Sequence, residues 1–223
     1  MNHFLNVIVK NLLLLLGTTF SFGDDDLSYL KNASQTLTRT CSIKEVDQCG
    51  LYVAANALDR NMSTCTRSEL IGLSSPNKEV MWYVDLGEIY SVYSISIQFK
   101  DYGPSYVQRQ RGRFAGFSLY LSNSSYKENG YLCYKDGPQL PPLNFTTTCI
   151  KHGRYIIYYN ERLDSVRYPD EYQPTSFAQL CEDVNTNEPM VNDVTLIALR
   201  IVKKTDVILS KELVLDASLC GLE

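Results

Sequence analysis

Val92-Tyr-Ser-Ile-Ser-Ile-Gln-Phe99 is the stretch that decides the fold class. Ile95, Ile97 and Phe99 fall on one side of an extended chain, and Ser94, Ser96 and Gln98 on the other. That period of two marks a half-buried strand, because successive strand side chains point to opposite faces. Phe117 to Leu121 alternates in the same way and ends at the turn cluster Asn123-Ser124-Ser125. Tyr155 to Tyr159 is a run of aromatic and β-branched residues, the types that favour strands. Gly103-Pro104, Gly137-Pro138 and Pro141-Pro142 punctuate the loops between such runs. Between Ala33 and Val184 no apolar stripe of useful length repeats with helical period. Many short strands separated by turns predict an antiparallel sandwich or barrel.

The N-terminus reads as an export signal over residues 1–23. Lys10 supplies positive charge, Leu12 to Leu16 form an apolar run, and Ser21 and Gly23 are small residues at the cleavage positions. The run is too short to span a bilayer, and no later apolar segment is long enough either. Cleavage removes one lysine and no acid, so the formal charge of −4 becomes −5. That balance argues against a nucleic-acid partner. The expected location is therefore secreted or extracellular. A short N-terminal segment, residues 24–32, would precede the sandwich.

All seven cysteines, Cys41, Cys49, Cys65, Cys133, Cys149, Cys181 and Cys220, lie beyond the signal. In an exported protein they are expected to be mostly oxidised. Their spacing lacks the close pairs of a zinc site, and histidine is nearly absent. Asn32, Asn61, Asn123 and Asn144 each open a glycosylation sequon, which fits the same route. Catalysis finds little support. His152 is the only histidine after the signal, and it precedes Gly153 in a turn context. No nucleophile-elbow, metalloprotease or phosphate-loop signature is present. The acids Glu161, Asp164, Asp170 and Glu171 alternate with Tyr168, Tyr172 and Arg167 and read as a solvated loop. The chain is expected not to be an enzyme.

Five short motifs occur in order. They are Asn56-Ala-Leu-Asp59 with Cys65-Thr66, then Trp82-Tyr-Val-Asp-Leu-Gly87, then Arg113-Phe-Ala-Gly-Phe117, then Gly153-Arg-Tyr-Ile156, and finally Leu180-Cys-Glu182. Together they resemble a fucolectin-related, discoidin-like domain, the galactose-binding jelly roll also known from coagulation factors. The likeness is greatest to the divergent form in molluscan receptors that carry epidermal-growth-factor-like repeats, where Tyr158-Tyr-Asn-Glu-Arg-Leu163 also fits. It covers residues 33–184. It implies an all-β fold: an antiparallel eight-stranded jelly-roll β-sandwich, galactose-binding domain-like and disulfide-stapled. Trp82 would pack in its core. Residues 185–223 read as a C-terminal tail, within which Val194 to Val202 suits a late strand and Lys211 to Cys220 a short helix or a loosely packed extension.

The resemblance also implies sites. A calcium loop would take Asn56, Asn61, Thr64 and Cys181 through carbonyl or hydroxyl oxygens and Asp59 and Glu182 through carboxylates, the hard oxygen donors calcium prefers. Without an ion, the same residues would cap a turn. Arg60 stands where the family has glycine, and a side chain resists positive φ. The resemblance pairs Cys65 with Cys181 and Cys133 with Cys149. Cys41 and Cys49 are expected to form a local bond, leaving Cys220 free or bonded to a second copy in a homo-oligomer. In fucolectins one histidine and two arginines hold fucose beside a disulfide of adjacent cysteines. Here the histidine position is Arg67, the first arginine falls near Lys100, the second is Arg113, and residues 102–111 replace the adjacent cysteines. Arg109, Arg111 and Arg113 alternate, so on a strand they would share a face as a ligand surface or as a basic edge that resists aggregation.

The expected function is a secreted recognition module, calcium-assisted and lectin-like, for glycans or cell-surface glycoproteins in innate recognition or adhesion. The alternative is a protein-interaction or adhesion ectodomain, a fragment or paralogue of a larger receptor, that has lost sugar binding.

Overall fold

The computed structural model describes residues 26–39, 52–61, 64–180 and 199–203. The export signal, Cys41, Cys49, Cys181, Glu182, Cys220 and the helix expected over 211–220 lie outside the described residues. Eight strands occur among those described: β1 (Asn32–Gln35), β2 (Ile71–Gly72), β3 (Glu79–Gln98), β4 (Ser118–Ser122), β5 (Tyr131–Lys135), β6 (Asn144–Glu161), β7 (Thr175–Ser176) and β8 (Leu199–Lys203). Every strand pairing is antiparallel. The larger sheet runs β1-β3-β6-β4-β5, with β8 also against β3, and β2 pairs with β7. The expected all-β, antiparallel, disulfide-stapled class is what the structure has.

Two long strands organise it. β3 and β6 run from the Glu79–Glu161 pair to the Gln98–Asn144 pair, interrupted by register shifts after Asp85 and after Val92. Such irregularities bend a strand and raise its twist, so one pair of strands can serve both ends of a jelly roll. The end of β3 around Trp82 carries β1, and the end around Ile95 carries β8. β8 falls within the segment read from the sequence as a tail, and it joins the main sheet.

The core follows the alternation. Ile95, Ile97 and Phe99 are buried while Ser94, Ser96 and Gln98 are partly open. Phe99 stacks on Phe114 at 4.6 Å, and Phe117 stacks on Tyr158 at 5.6 Å. Burying each such side chain contributes about 1.5–3 kcal/mol. Trp82 is fully buried, and its Nε1 donates to the Ala54 carbonyl at 3.0 Å, satisfying its one polar atom.

The motifs have packing reasons. Asp85 and Arg154, from two of them, form a two-pronged ion pair at 2.6 and 2.7 Å. Gly153 lies against β4, where a Cβ would sit 2.5 Å from Leu121 Cγ. Cys133 and Cys149 are bonded, tying β5 to β6. Cys65 is disulfide-bonded too; its expected partner Cys181 is outside the described residues.

One element departs from the expectation. Residues 107–114 form a helix, α1 (Val107–Phe114), rather than strand or loop. Its Gln and Arg residues are good helix formers, and Arg111 and Arg113 in the last turn complement the helix dipole. Ala115, with ψ of 151°, ends it, and Gly116, with φ of 82°, turns the chain into β4.

Candidate functional site

α1 decides which arginines meet. On a strand Arg109, Arg111 and Arg113 would line up; on a helix Arg109 and Arg113 are one turn apart and Arg111 faces elsewhere. Arg111 donates to the carbonyls of Leu140 at 2.7 Å and Pro141 at 2.8 Å, so it holds a neighbouring loop. Arg109 is exposed and Arg113 half-buried. The loop before α1 contributes Tyr102 and Tyr106, both exposed.

Arg67 comes from a distant segment. Thr66 and Ser68 on either side donate their amides to Leu180 and Ala178, which pins the segment beside residues 177–180. Phe177 is fully buried, and its ring is the common floor. The Arg67 guanidinium lies 4.7 Å from the ring centroid and that of Arg113 lies 5.3 Å from it. Arg67, Tyr102, Tyr106, Arg109, Gln110 and Arg113 together line a cleft of about 300 Å³. Two of the three expected ligand residues, Arg67 and Arg113, therefore share one cleft. Lys100 does not line it: its amide donates to Gln179 at 3.4 Å, and Tyr102 donates to the Gln179 side chain at 2.8 Å. Arg109 supplies the third cation instead. Its signal in the sequence was the four-residue spacing from Arg113, legible only once the segment is known to be helical. Burial first, then repulsion from Arg109 and Arg67, pushes the Arg113 guanidinium pKa down.

The loop expected to hold calcium is compact. Asn56 is buried in a short 3-10 turn over Ala54–Ala57, and its Nδ2 donates to the Cys65 carbonyl at 3.2 Å. Asp59 Oδ1 accepts the Asn61 amide at 2.9 Å. The Thr64 hydroxyl lies 2.7 Å from Asp59 Oδ2 and 2.8 Å from the Asn61 carbonyl. Arg60 does adopt positive φ, at 56°. Its guanidinium stacks 3.9 Å over Tyr29 and lies 3.6 Å from Asp26, contacts that offset the backbone strain. The described donors are oxygens of the hard type that calcium takes: one carboxylate, one hydroxyl and one carbonyl converge. Among the described residues, no three His, Cys, Asp or Glu side chains gather as a metal site.

The other candidates have plain surroundings. His152 is exposed on β6 opposite Ser91. Asp164 pairs with Lys78 at 2.6 Å, and Glu161 accepts the Tyr159 hydroxyl at 2.7 Å. The sequon residues Asn32, Asn61, Asn123 and Asn144 are all exposed. Among the described residues no helix is long and apolar enough to cross a membrane.

In solved structures the chain is similar to a fucolectin from striped bass (Morone saxatilis) serum, at 16% identity and a TM-score of 0.49. That match covers 71% of this chain and 46% of the fish protein, so the chain spans less than half of that lectin's length. It is also similar to a fucose-binding module of Streptococcus pneumoniae, at 14% identity and a TM-score of 0.49, covering 83% of this chain and 99% of that one. A chitosan-binding module from a chitosanase/glucanase of Paenibacillus sp. IK-5 aligns at 16% identity and a TM-score of 0.45, covering 70% of this chain and 98% of that one. No family model and no curated protein matches the sequence.

Proposed function

We propose that this chain is a secreted recognition module of the lectin type, binding glycans through the cleft of Arg67, Arg109 and Arg113. The observation that carries the reading is the convergence of Arg67 and Arg113, from distant segments, on one buried ring beside two exposed tyrosines. Loops on a rigid sandwich are where binding residues usually sit. Guanidinium donors hydrogen-bond sugar oxygens, and tyrosines present flat apolar faces with polar tips. The ordered motifs that resemble fucolectins, and the divergent molluscan receptor form among them, support the same reading. An export signal and four exposed sequons fit a role outside the cell, in innate recognition or adhesion.

Calcium belongs to the proposal. Asp59, Asn61 and Thr64 would hold it, with Asn56, Cys181 and Glu182 as the further donors the resemblance implies. The ion would brace the loop that leads through Cys65 to Arg67; it need not touch the sugar.

A glycan array probed with the mature protein, in calcium and in chelator, tests the reading. Arg113→Ala should cost about 1.5–3 kcal/mol, the range for a charged hydrogen bond. That is roughly a tenfold to hundredfold loss of affinity. Arg167, exposed and outside the cleft, is the control. Silence across a broad panel in calcium defeats the lectin reading and favours a protein-interaction ectodomain.

A further inference from the structure

Among the described residues, the cleft is lined by three cations and no carboxylate. Elsewhere four cations are ion-paired, Arg60 with Asp26, Lys78 with Asp164, Lys127 with Glu128 and Arg154 with Asp85, and the buried Arg162 is met by backbone carbonyls. Among the described residues, Arg67, Arg109 and Arg113 have no such partner. The chain as a whole carries a formal charge of −4, so acids are in excess and their exclusion here is local. Asp101, in the adjoining loop, accepts the Gly103 amide at 2.7 Å and does not line the cleft. Arginines one turn apart on a helix repel, and Arg67 adds a third charge over the same Phe177 ring. Among the described residues, no carboxylate compensates that arrangement.

The hydrogen-bond inventory points the same way. Gln110 is only 3% exposed, and among the described residues its buried Nε2 has no acceptor; the buried Nε of Arg113 has none there either. Buried polar atoms are almost always satisfied, so two idle donors at one cleft call for a partner. Acceptors are scarce. Guanidinium groups have none, and the Gln110 Oε1 is engaged by Arg113 Nη1 at 3.3 Å. The Tyr102 hydroxyl gives its proton to Gln179 and keeps its lone pairs, as does that of Tyr106, so two phenolic oxygens stand against three guanidinium groups and an amide. A neutral sugar hydroxyl needs an acceptor for its own proton as well as donors. An oxyanion needs donors alone, and guanidinium forks match its geometry.

We infer that the glycan bound here carries an oxyanion, a sulfate ester or a carboxylate, seated among Arg67, Arg109, Arg113 and the Gln110 amide. This rests on the glycan reading of the same cleft. Tyr102 and Tyr106 flank the sugar ring, and the anion replaces the counter-charge that the protein withholds. Neutral fucose, the sugar that fucolectins hold, lacks the group that these donors select.

The test uses the mature protein in calcium against matched glycan sets, each a neutral glycan with its sulfated and its sialylated counterpart. The expected result is at least a tenfold preference for one charged form, with the two charged arms telling sulfate from carboxylate. Raising salt from about 0.05 to 0.5 M should shrink the preference, because exposed charges are screened over a few ångströms at high salt. Arg109→Gln should lower the charged-to-neutral ratio at least fivefold with an unchanged melting temperature, since this exposed side chain supports no other element. Arg109→Lys should restore part of the ratio, and Arg167→Gln should leave it as it is. Equal binding of neutral and charged forms, unaffected by Arg109→Gln, overturns the inference and leaves the lectin reading standing. Binding to no glycan of either kind removes that reading and this one with it.

Discussion

Arg162→Met should cost this protein about 3 kcal/mol, although Arg162 touches no ligand cleft. Arg162 is 3% exposed, and its guanidinium lies 5.2 Å from the ring centroids of both Tyr168 and Tyr172. Its guanidinium donates to Gln173 O at 2.9 Å, Glu161 O at 2.7 Å, Ala115 O at 2.9 Å, Gly112 O at 3.2 Å, Arg113 O at 3.4 Å and Asn160 Oδ1 at 3.0 Å. Burial pushes its pKa down, so part of that hydrogen bonding offsets the desolvation of the charge. Methionine keeps the length and loses every donor. The carbonyls of Gly112, Arg113 and Ala115 retain a second donor, from Gln173 N, Ser176 Oγ and Asn160 Nδ2 respectively. Gln173 O, on a half-buried residue, keeps none among the described residues, and leaving it bare costs up to the ~1–3 kcal/mol of a fully buried acceptor. Adding a charged hydrogen bond at about 1.5–3 kcal/mol, and discounting for desolvation, gives the figure above. For a chain of this size that is a fall of about 6–12 °C in melting temperature by scanning calorimetry. Glycan affinity should fall too, because the end of α1 that positions Arg113 is docked on this side chain. Arg162→Lys should rescue little, since an ammonium cannot reach carbonyls on both sides. A melting temperature within 2 °C of wild type, with glycan affinity intact, would refute the reasoning.

Three further outcomes are expected. Asp85 is held at about 2 against its ordinary 3.8, first by the hydrogen bond from Arg154. A depressed carboxyl stabilises the fold above its unfolded value and loses that contribution as pH falls from about 4 to about 2. Wild-type stability should therefore drop across that window more steeply than that of Asp85→Asn; parallel curves would count against the pair. Gly153→Ala forces a methyl group to within 2.5–2.6 Å of Leu121 on β4, a buried residue. Overpacking of that kind costs about 1–3 kcal/mol, to be read from urea denaturation. If Asp59 helps to hold calcium, millimolar calcium should raise the melting temperature of wild type and not of Asp59→Ala, by mass action on the folded state. An equal response of the two proteins speaks against the ion.

The strand content and the buried face of Val92–Phe99 were legible in the sequence because side-chain alternation is local: residues two apart share a face wherever the strand lies. Trp82 was legible as core for a similar reason, being the largest apolar side chain inside a strand pattern. α1 was not legible. Arginines at spacing two mimic an exposed strand, and the helix forms because Gly112 can pack against the Glu171 carbonyl and the turn's carbonyls find Arg162. Arg162 carries no sign of burial in the sequence, and only its neighbours in space reveal a buried staple. Arg60 was expected to resist positive φ; Tyr29 and Asp26, some thirty residues earlier, supply the contacts that hold it there. The cleft lies furthest from what sequence alone determines. Arg67, Tyr102, Arg113 and Phe177 are brought together by closure of the long β3–β6 ladder and by the pairing of residues 66–68 with 178–180. Local pattern sets which face each strand buries, whereas which loops share an end of the sandwich, and so which charges go uncompensated, is decided by contacts between segments a hundred residues apart.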